Sequence, residues 1–357
     1  MRAVRWHGHG DVRVDEVAEP EIGPRDVKVR VSYNGICGSD VHEFYGDPVM
    51  VPLHPHPLTG VQVPVVLGHE CGGVVAEVGS AVDDIEVGTL VAIEPIIACG
   101  RCPACRSGEY NFCELMAFHG YSGPGGGMAE FTVADRSMVH PMDASLTGVH
   151  AALVEPMAVS YHAVQRSEAS EGDLVVVHGA GPIGLGAVFA LQALGVEVVV
   201  SEPGAERRQH VERYGIRAVV DPTTADVAEA VADLTNGRGA RASIDAAGAQ
   251  QSFTSALRTT GRHGTVVIVG VPRAPLELRH RDLFRGEIQL RASVTYCGDF
   301  PRVIEDMEHG RYPTDWVSFV PMEGVVDALH ALHDGAATKV LVDPTLPVDG
   351  ESPATSA

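Results

Sequence analysis

A thiol, a hydroxyl, a carboxylate and an imidazole crowd into the run Cys37-Gly38-Ser39-Asp40-Val41-His42. A thiolate is a good zinc ligand, and a catalytic zinc needs about three protein ligands plus one open position. Cys37 supplies the first. His69, in Gly68-His69-Glu70, is the second candidate, and Glu155, in Leu153-Val154-Glu155-Pro156, is the third. A hydroxyl beside such a metal, Ser39, can carry a proton away from an alcohol. An imidazole, His42, can hand it to solvent, because its unperturbed pKa lies near neutrality. This chemistry turns an alcohol into an alkoxide, and it requires a hydride acceptor.

Residues 175–184, Val-Val-Val-His-Gly-Ala-Gly-Pro-Ile-Gly, read as a strand, a G-x-G-x-x-G turn and a helix start. Gly179, Gly181 and Gly184 let backbone approach a pyrophosphate, with Pro182 and Ile183 opening the helix whose N-terminus attracts that charge. Glu202 follows at the end of the next strand, where a carboxylate bonds the adenosine ribose hydroxyls. NAD is therefore expected over NADP, although Arg207 and Arg208 lie nearby and soften the repulsion of a 2′-phosphate; Arg207 is counted with the cofactor-binding residues.

Cys99, Cys102, Cys105 and Cys113 follow the spacing C-x2-C-x2-C-x7-C. Four thiolates in one lobe suit a closed tetrahedral zinc with no position open for substrate. An iron–sulfur cluster also uses four thiolates; zinc is the expected occupant. Two zinc ions per chain follow, one catalytic and one structural. Cys71 and Cys297 are expected to be buried small residues.

These groups need a frame. With 357 residues the chain has room for about two domains, and 45% hydrophobic against 20% charged residues is ordinary for a globular protein. The seven cysteines and the lack of a secretory pattern at Met1-Arg2-Ala3-Val4 argue for metal binding over disulfides, and for a cytoplasmic location. A net charge of −21 weighs against nucleic acid and anionic membrane as partners. Lys28 and Lys339 are the only lysines; the arginine bias matches a GC-rich genome, and a role for Lys339 stays open.

Val27-Lys28-Val29-Arg30-Val31 alternates as half-buried strands do. Residues 43–67, with Pro48, Pro52, Pro55, Pro57 and Pro64, read as a long loop or lid carrying His54 and His56. From Ala158 the texture becomes helix and strand in alternation, which means βαβ units and a parallel sheet. The expected fold is α/β: a mainly β domain over 1–156 and 298–343, an inserted doubly wound domain over 157–297, and a disordered tail over 344–357. The cleft between the domains is the natural site.

Taken together, these motifs resemble the zinc-dependent medium-chain dehydrogenase/reductase family. The signature G-H-E-x-x-G, five residues, G, two residues, V stands as Gly68-His69-Glu70-Cys71-Gly72-Gly73, then Gly79 and Val82. The resemblance runs from Met1 to about Pro344. It implies a GroES-like catalytic domain and a Rossmann NAD domain. Within the family the chain is most similar to the 2,3-butanediol dehydrogenases, with sorbitol dehydrogenases next. Glu155 stands where liver-type alcohol dehydrogenases have a third ligand cysteine; Leu53 to Gly60 resembles the subgroup's extended segment, and Ser293-Val-Thr-Tyr296 with Asp299-Phe300 its later region.

The resemblance implies zinc held by Cys37, His69 and Glu155, hydride transfer to nicotinamide, and a proton passing from Ser39 through a ribose hydroxyl to His42. It also implies Asp40 as the hydrogen-bond acceptor that orients His69, and Glu70 as a residue able to swap onto the metal. The implied substrate is a small vicinal diol or hydroxyketone, 2,3-butanediol, acetoin or diacetyl, and the implied assembly a homo-dimer or homo-tetramer. Sorbitol or another secondary alcohol is the alternative substrate. A catalytically silent structural relative is the alternative of another class.

Overall fold

The computed structural model describes residues 1–46, 50–272 and 274–347. The chain folds as two compact units. The first holds Met1–Glu155, Phe300–Glu308 and the chain from Thr314; the second holds Pro156–Asp299 and His309–Pro313. The second unit thus begins one residue before the expected boundary and ends two residues beyond it, and the short segment 309–313 also joins it. Of the tail, residues 348–357 lie outside the described residues, as do 47–49 of the expected loop.

In the first unit the central strand Asp26–Gly35 pairs antiparallel with Glu70–Val78, Phe131–Asp135 and Val340–Val342. The alternation seen in the sequence is what buries it. Val27, Val29 and Val31 are buried with 2% exposure or less, and Val27 and Val29 pack among Val75, Val91, Ile93 and Met138. Cys71 belongs to this core, as expected of a small buried residue. Register matters here, because Gly35 faces Glu70. A Cβ on Gly35 would collide with the Glu70 carboxylate, so only glycine lets that side chain cross the strand toward Cys37.

The second unit carries six parallel strands in the order Ala218–Val220, Glu197–Ser201, Leu174–His178, Ala240–Asp245, Thr260–Ile268, Gln289–Ala292. This is the 3-2-1-4-5-6 order of a dinucleotide-binding sheet. Val175, Val176 and Val177 are wholly buried, which fits a sheet covered on both faces. Gln250–Thr259 is a helix over the span its pattern indicates.

Three elements depart from the sequence reading, one of them the short strand Val65–Val66 inside the expected loop, which pairs with Arg5 and Trp6. Residues 43–45 are not loop; they complete the helix Gly38–Tyr45. The helix expected from Ala158 starts at Gly148 and runs to Ser167 with Pro156 inside it, which places Glu155 on a helix. Proline removes one helical hydrogen bond, but Ala151, Ala152, Leu153 and Val154 are at most 1% exposed, and that packing carries the helix through it.

Candidate metal centres and active site

Cys37 caps the helix Gly38–Tyr45. Its backbone N–H donates to Asp40 Oδ2 at 2.8 Å, three residues on, which fixes the helix start. Ser39 and His42 lie three residues apart on that helix and so share a face. Asp40 turns the other way and is fully buried.

The strand register brings Glu70 over Gly35, beside Cys37 and His69. Ligand atoms of Cys37, His69 and Glu70 all lie within 4.8 Å of one another. A sulfur, a nitrogen and an oxygen so gathered are a donor set suited to zinc. Burial, then the Glu70 carboxylate, raises the Cys37 thiol far above its usual range. Lys339 offsets the Glu70 charge, and the buried sulfur, imidazole nitrogen and carboxylate oxygen together form a donor set that fits a divalent cation. His69 Nδ1 is buried and has no hydrogen-bond partner among the described residues.

Glu155 is 5% exposed, and its charge raises the Cys37 thiol less than those of Glu70 and Asp40. The structure gathers Glu70 with Cys37 and His69; Glu155 stands outside that set. The resemblance implies Glu70 as an exchange ligand; its place beside Cys37 comes from strand register, because it projects across Gly35, which residue spacing does not reveal. Asp40 also departs from its expected role. Its Oδ1 is 3.8 Å from His69 Nδ1, beyond hydrogen-bond range. It accepts instead from Cys37 N and from the Tyr121 hydroxyl at 2.7 Å.

Two residues of this site escaped the sequence reading. Tyr121 is wholly buried, its ring 4.9 Å from that of His69 and its hydroxyl 2.9 Å from Ser39 Oγ. Burial, then the Asp40 charge, holds its phenol well above the ordinary value, so it keeps its proton. Lys339 is 2% exposed and donates to Ile36 O at 3.2 Å and to Glu70 Oε2. Tyr121 had no signal, sitting in a glycine-rich turn. Lys339 had a faint one, as one of two lysines in a chain that otherwise uses arginine. His56, by contrast, spends Nδ1 on Leu58 N within its own turn.

The four lobe cysteines gather with every Sγ within 4.8 Å of the others. Cys99 and Cys105 sulfurs are 4.0 Å apart and Cys102 and Cys105 3.4 Å. Zn–S bonds of about 2.3 Å place tetrahedral sulfurs about 3.8 Å apart, so the lobe fits the ion. Backbone N–H groups of Cys105 and Glu114 pull Cys102 down to about 6, which favours the thiolate. Cys102→Ser is expected to lower the melting temperature and halve the zinc content, leaving Cys37 and His69 able to bind. Metal analysis with a thermal melt checks this; unchanged stability would remove the lobe's structural role.

In the second unit Gly179 has φ +99°, and a Cβ on Gly184 would strike the Gly179 carbonyl. A Cβ on Gly181 would meet nothing within 4 Å, which is the room a pyrophosphate needs above Pro182 and Ile183 at the helix start. Glu202 is 3% exposed; Oε2 accepts from Ala180 N at 2.7 Å and Oε1 from Gly204 N at 2.8 Å. It is thereby pinned against the glycine turn. Arg208 is committed to Asp221 at 2.9 Å, and Arg207 is half-buried on the following helix.

The family pattern for the alcohol dehydrogenase GroES-like domain matches residues 23–144, and that for zinc-binding dehydrogenases matches residues 182–309. The chain is 34% identical to an (R,R)-butanediol dehydrogenase of Neisseria gonorrhoeae over 97% of its own length and 100% of that protein's.

The chain belongs to the zinc-binding alcohol dehydrogenase family.

Among solved structures, 2R,3R-butanediol dehydrogenase from Bacillus subtilis superposes with a TM-score of 0.90 at 35% identity, covering 96% of this chain and 99% of that one. A zinc-binding dehydrogenase from Sinorhizobium meliloti 1021, solved with NADP, gives 0.88 at 32% identity, covering 96% and 99%. The GroES-like and Rossmann folds expected from the motifs are those of this family, and this zinc-binding dehydrogenase is an oxidoreductase. No helix among the described residues is long and apolar enough to cross a membrane.

Proposed function

We propose that this dehydrogenase oxidises 2,3-butanediol to acetoin with NAD, and reduces acetoin or diacetyl in reverse. The observation that carries the reading is the gathering of Cys37, His69 and Glu70 beside Ser39, whose Oγ lies 3.4 Å from His69 Nε2. The two butanediol dehydrogenases described above support the substrate class.

Zinc, when bound by Cys37, His69 and Glu70, supplies a Lewis acid that acidifies a hydroxyl near neutral pH. NAD, held at Gly179, Gly181, Pro182, Ile183 and Gly184, supplies the hydride acceptor. Ser39 takes the hydroxyl proton and His42, on the same helical face, releases it. Glu155, 5% exposed, is the candidate acceptor for the diol's second hydroxyl, since a carboxylate accepts well. A site that satisfies two oxygens discriminates strongly against an alcohol offering one. The lobe of Cys99, Cys102, Cys105 and Cys113 holds the second zinc. The test is kcat/KM for 2,3-butanediol against sorbitol, threonine, glucose and 2-butanol. If 2-butanol or sorbitol equals the butanediol, the substrate assignment fails and the family chemistry alone survives.

NAD over NADP is part of the proposal. The pinned Glu202 carboxylate repels a 2′-phosphate, and Arg208 is held away by Asp221. Like-charge juxtaposition costs several kcal/mol, so NAD is expected to lead by about 10²-fold in kcat/KM. Glu202→Ser should narrow the gap; equal use of both cofactors by the wild type would refute the assignment.

We place the enzyme in the cytoplasm as a homo-oligomer. Seven cysteines, none of them in a disulfide, suit a reducing compartment. The edge strand Gln289–Ala292 is flanked by exposed Phe284 and Val294, and such patches favour a second copy.

A further inference from the structure

Ser39 has to do two opposite things within one turnover. It accepts a proton from the substrate hydroxyl and releases its own toward His42. A serine hydroxyl has one proton and two lone pairs, and its rotor settles wherever its neighbours direct it. The neighbour that directs it is Tyr121.

Tyr121 Oη lies between two oxygens, 2.9 Å from Ser39 Oγ and 2.7 Å from Asp40 Oδ1. A phenol carries one proton, and both contacts are of hydrogen-bond length. When the phenol proton points to Asp40, Oη accepts from Ser39, and the serine proton is held inward, away from the release path. When it points to Ser39, one serine lone pair is filled, and the serine proton is turned outward for release. Both arrangements use the same three oxygens. Asp40 is anchored by Cys37 N at 2.8 Å, and the Tyr121 ring packs against His69, so neither end of the pair is loose.

We propose that Tyr121 is a positioning residue for proton transfer: its hydroxyl proton swings between Asp40 and Ser39, and when it points to Ser39 it leaves one serine lone pair for the substrate proton and turns the serine proton outward, so that gain and loss occur in one concerted step. No net proton passes to Tyr121 or Asp40. Ser39 gains the substrate proton and loses its own, and the phenol stays a phenol. The inference rests on the reading of Ser39 as the acceptor of the substrate proton.

The experiment uses zinc-loaded full-length enzyme with NAD and 2,3-butanediol. Wild type, Tyr121→Phe, Ser39→Ala and the double variant are compared in kcat, KM, solvent deuterium isotope effect and zinc per chain. Loss of one directing hydrogen bond is expected to lower kcat about tenfold in Tyr121→Phe. KM and zinc content should hold, and the isotope effect on kcat should rise. In the Ser39→Ala background the same substitution should change kcat less than about twofold, because two residues acting through one interaction are not additive. Ser39→Thr, which keeps the hydroxyl, should restore the sensitivity to Tyr121→Phe.

Independent, multiplying losses in the double variant would overturn the inference, as would a fall in zinc content, which would place the effect on His69. An unchanged kcat in Tyr121→Phe would do the same. If Ser39→Ala alone leaves kcat unchanged, the reading of Ser39 fails first and carries the inference down with it.

Discussion

Cys37→Ala is expected to lower kcat by about 10⁴-fold or more while the protein stays folded and keeps its lobe zinc. Removing the only sulfur from the Cys37, His69 and Glu70 set leaves two donors where about three are needed. A Lewis acid contributes several kcal/mol to the barrier, and about 5.5 kcal/mol is 10⁴ in rate. The fold should persist because the helix start does not depend on the thiol. It depends on the Cys37 backbone N–H donating to Asp40, which alanine retains. Metal analysis should fall from two zinc ions per chain to one, with the far-ultraviolet dichroism unchanged. A variant that kept both ions and more than about one hundredth of wild-type kcat would take Cys37 out of the machinery.

The parallel-sheet domain was legible because its signals are local. Strand, glycine turn, helix and terminal carboxylate follow one another within 175–202; Gly179 needs its positive φ, Gly184 its close approach to the Gly179 carbonyl, and Gly181 leaves open space. The four-cysteine lobe was legible for the same reason, since its ligands span 15 residues, from Cys99 to Cys113. The helix Gly38–Tyr45 was less so. It is short, it begins at a cysteine cap, and its apolar residues are few, so chemistry marked the stretch before periodicity did.

What stayed hidden depends on contacts between distant segments. Glu70 gathers with Cys37 and His69 through the pairing of Gly35 with Glu70, a register set by two strands and visible in neither alone. Asp40 sits three residues from Cys37, yet it bonds Tyr121, 81 residues on, rather than His69. Propensity and motif carry no information about such partners. Lys339 reaches Glu70 across 269 residues, and only its burial shows that the ammonium belongs to the metal site.

That burial makes the Lys339–Glu70 pair a sensitive contact of the site. The side chains are 1% and 2% exposed. Removing one partner of a buried pair costs about 3–5 kcal/mol, because the other charge is left without compensation. Lys339→Met is therefore expected to destabilise the chelator-treated protein by about that amount in urea unfolding. Zinc changes the sign of the argument for Glu70. A cation beside the carboxylate compensates it, so the same substitution should cost less in zinc-loaded protein, and the stabilisation conferred by zinc should be larger in the variant than in wild type. Glu70→Gln combined with Lys339→Met removes both charges and should recover most of the loss, since replacing a whole buried pair is far cheaper than breaking it. Should Lys339→Met cost the same with and without zinc, the ammonium is a packing element and Glu70 does not face the metal. Should the double variant be no more stable than Lys339→Met alone, the loss belongs to the Lys339 stem and its bond to Ile36 O, and the pair carries none of it.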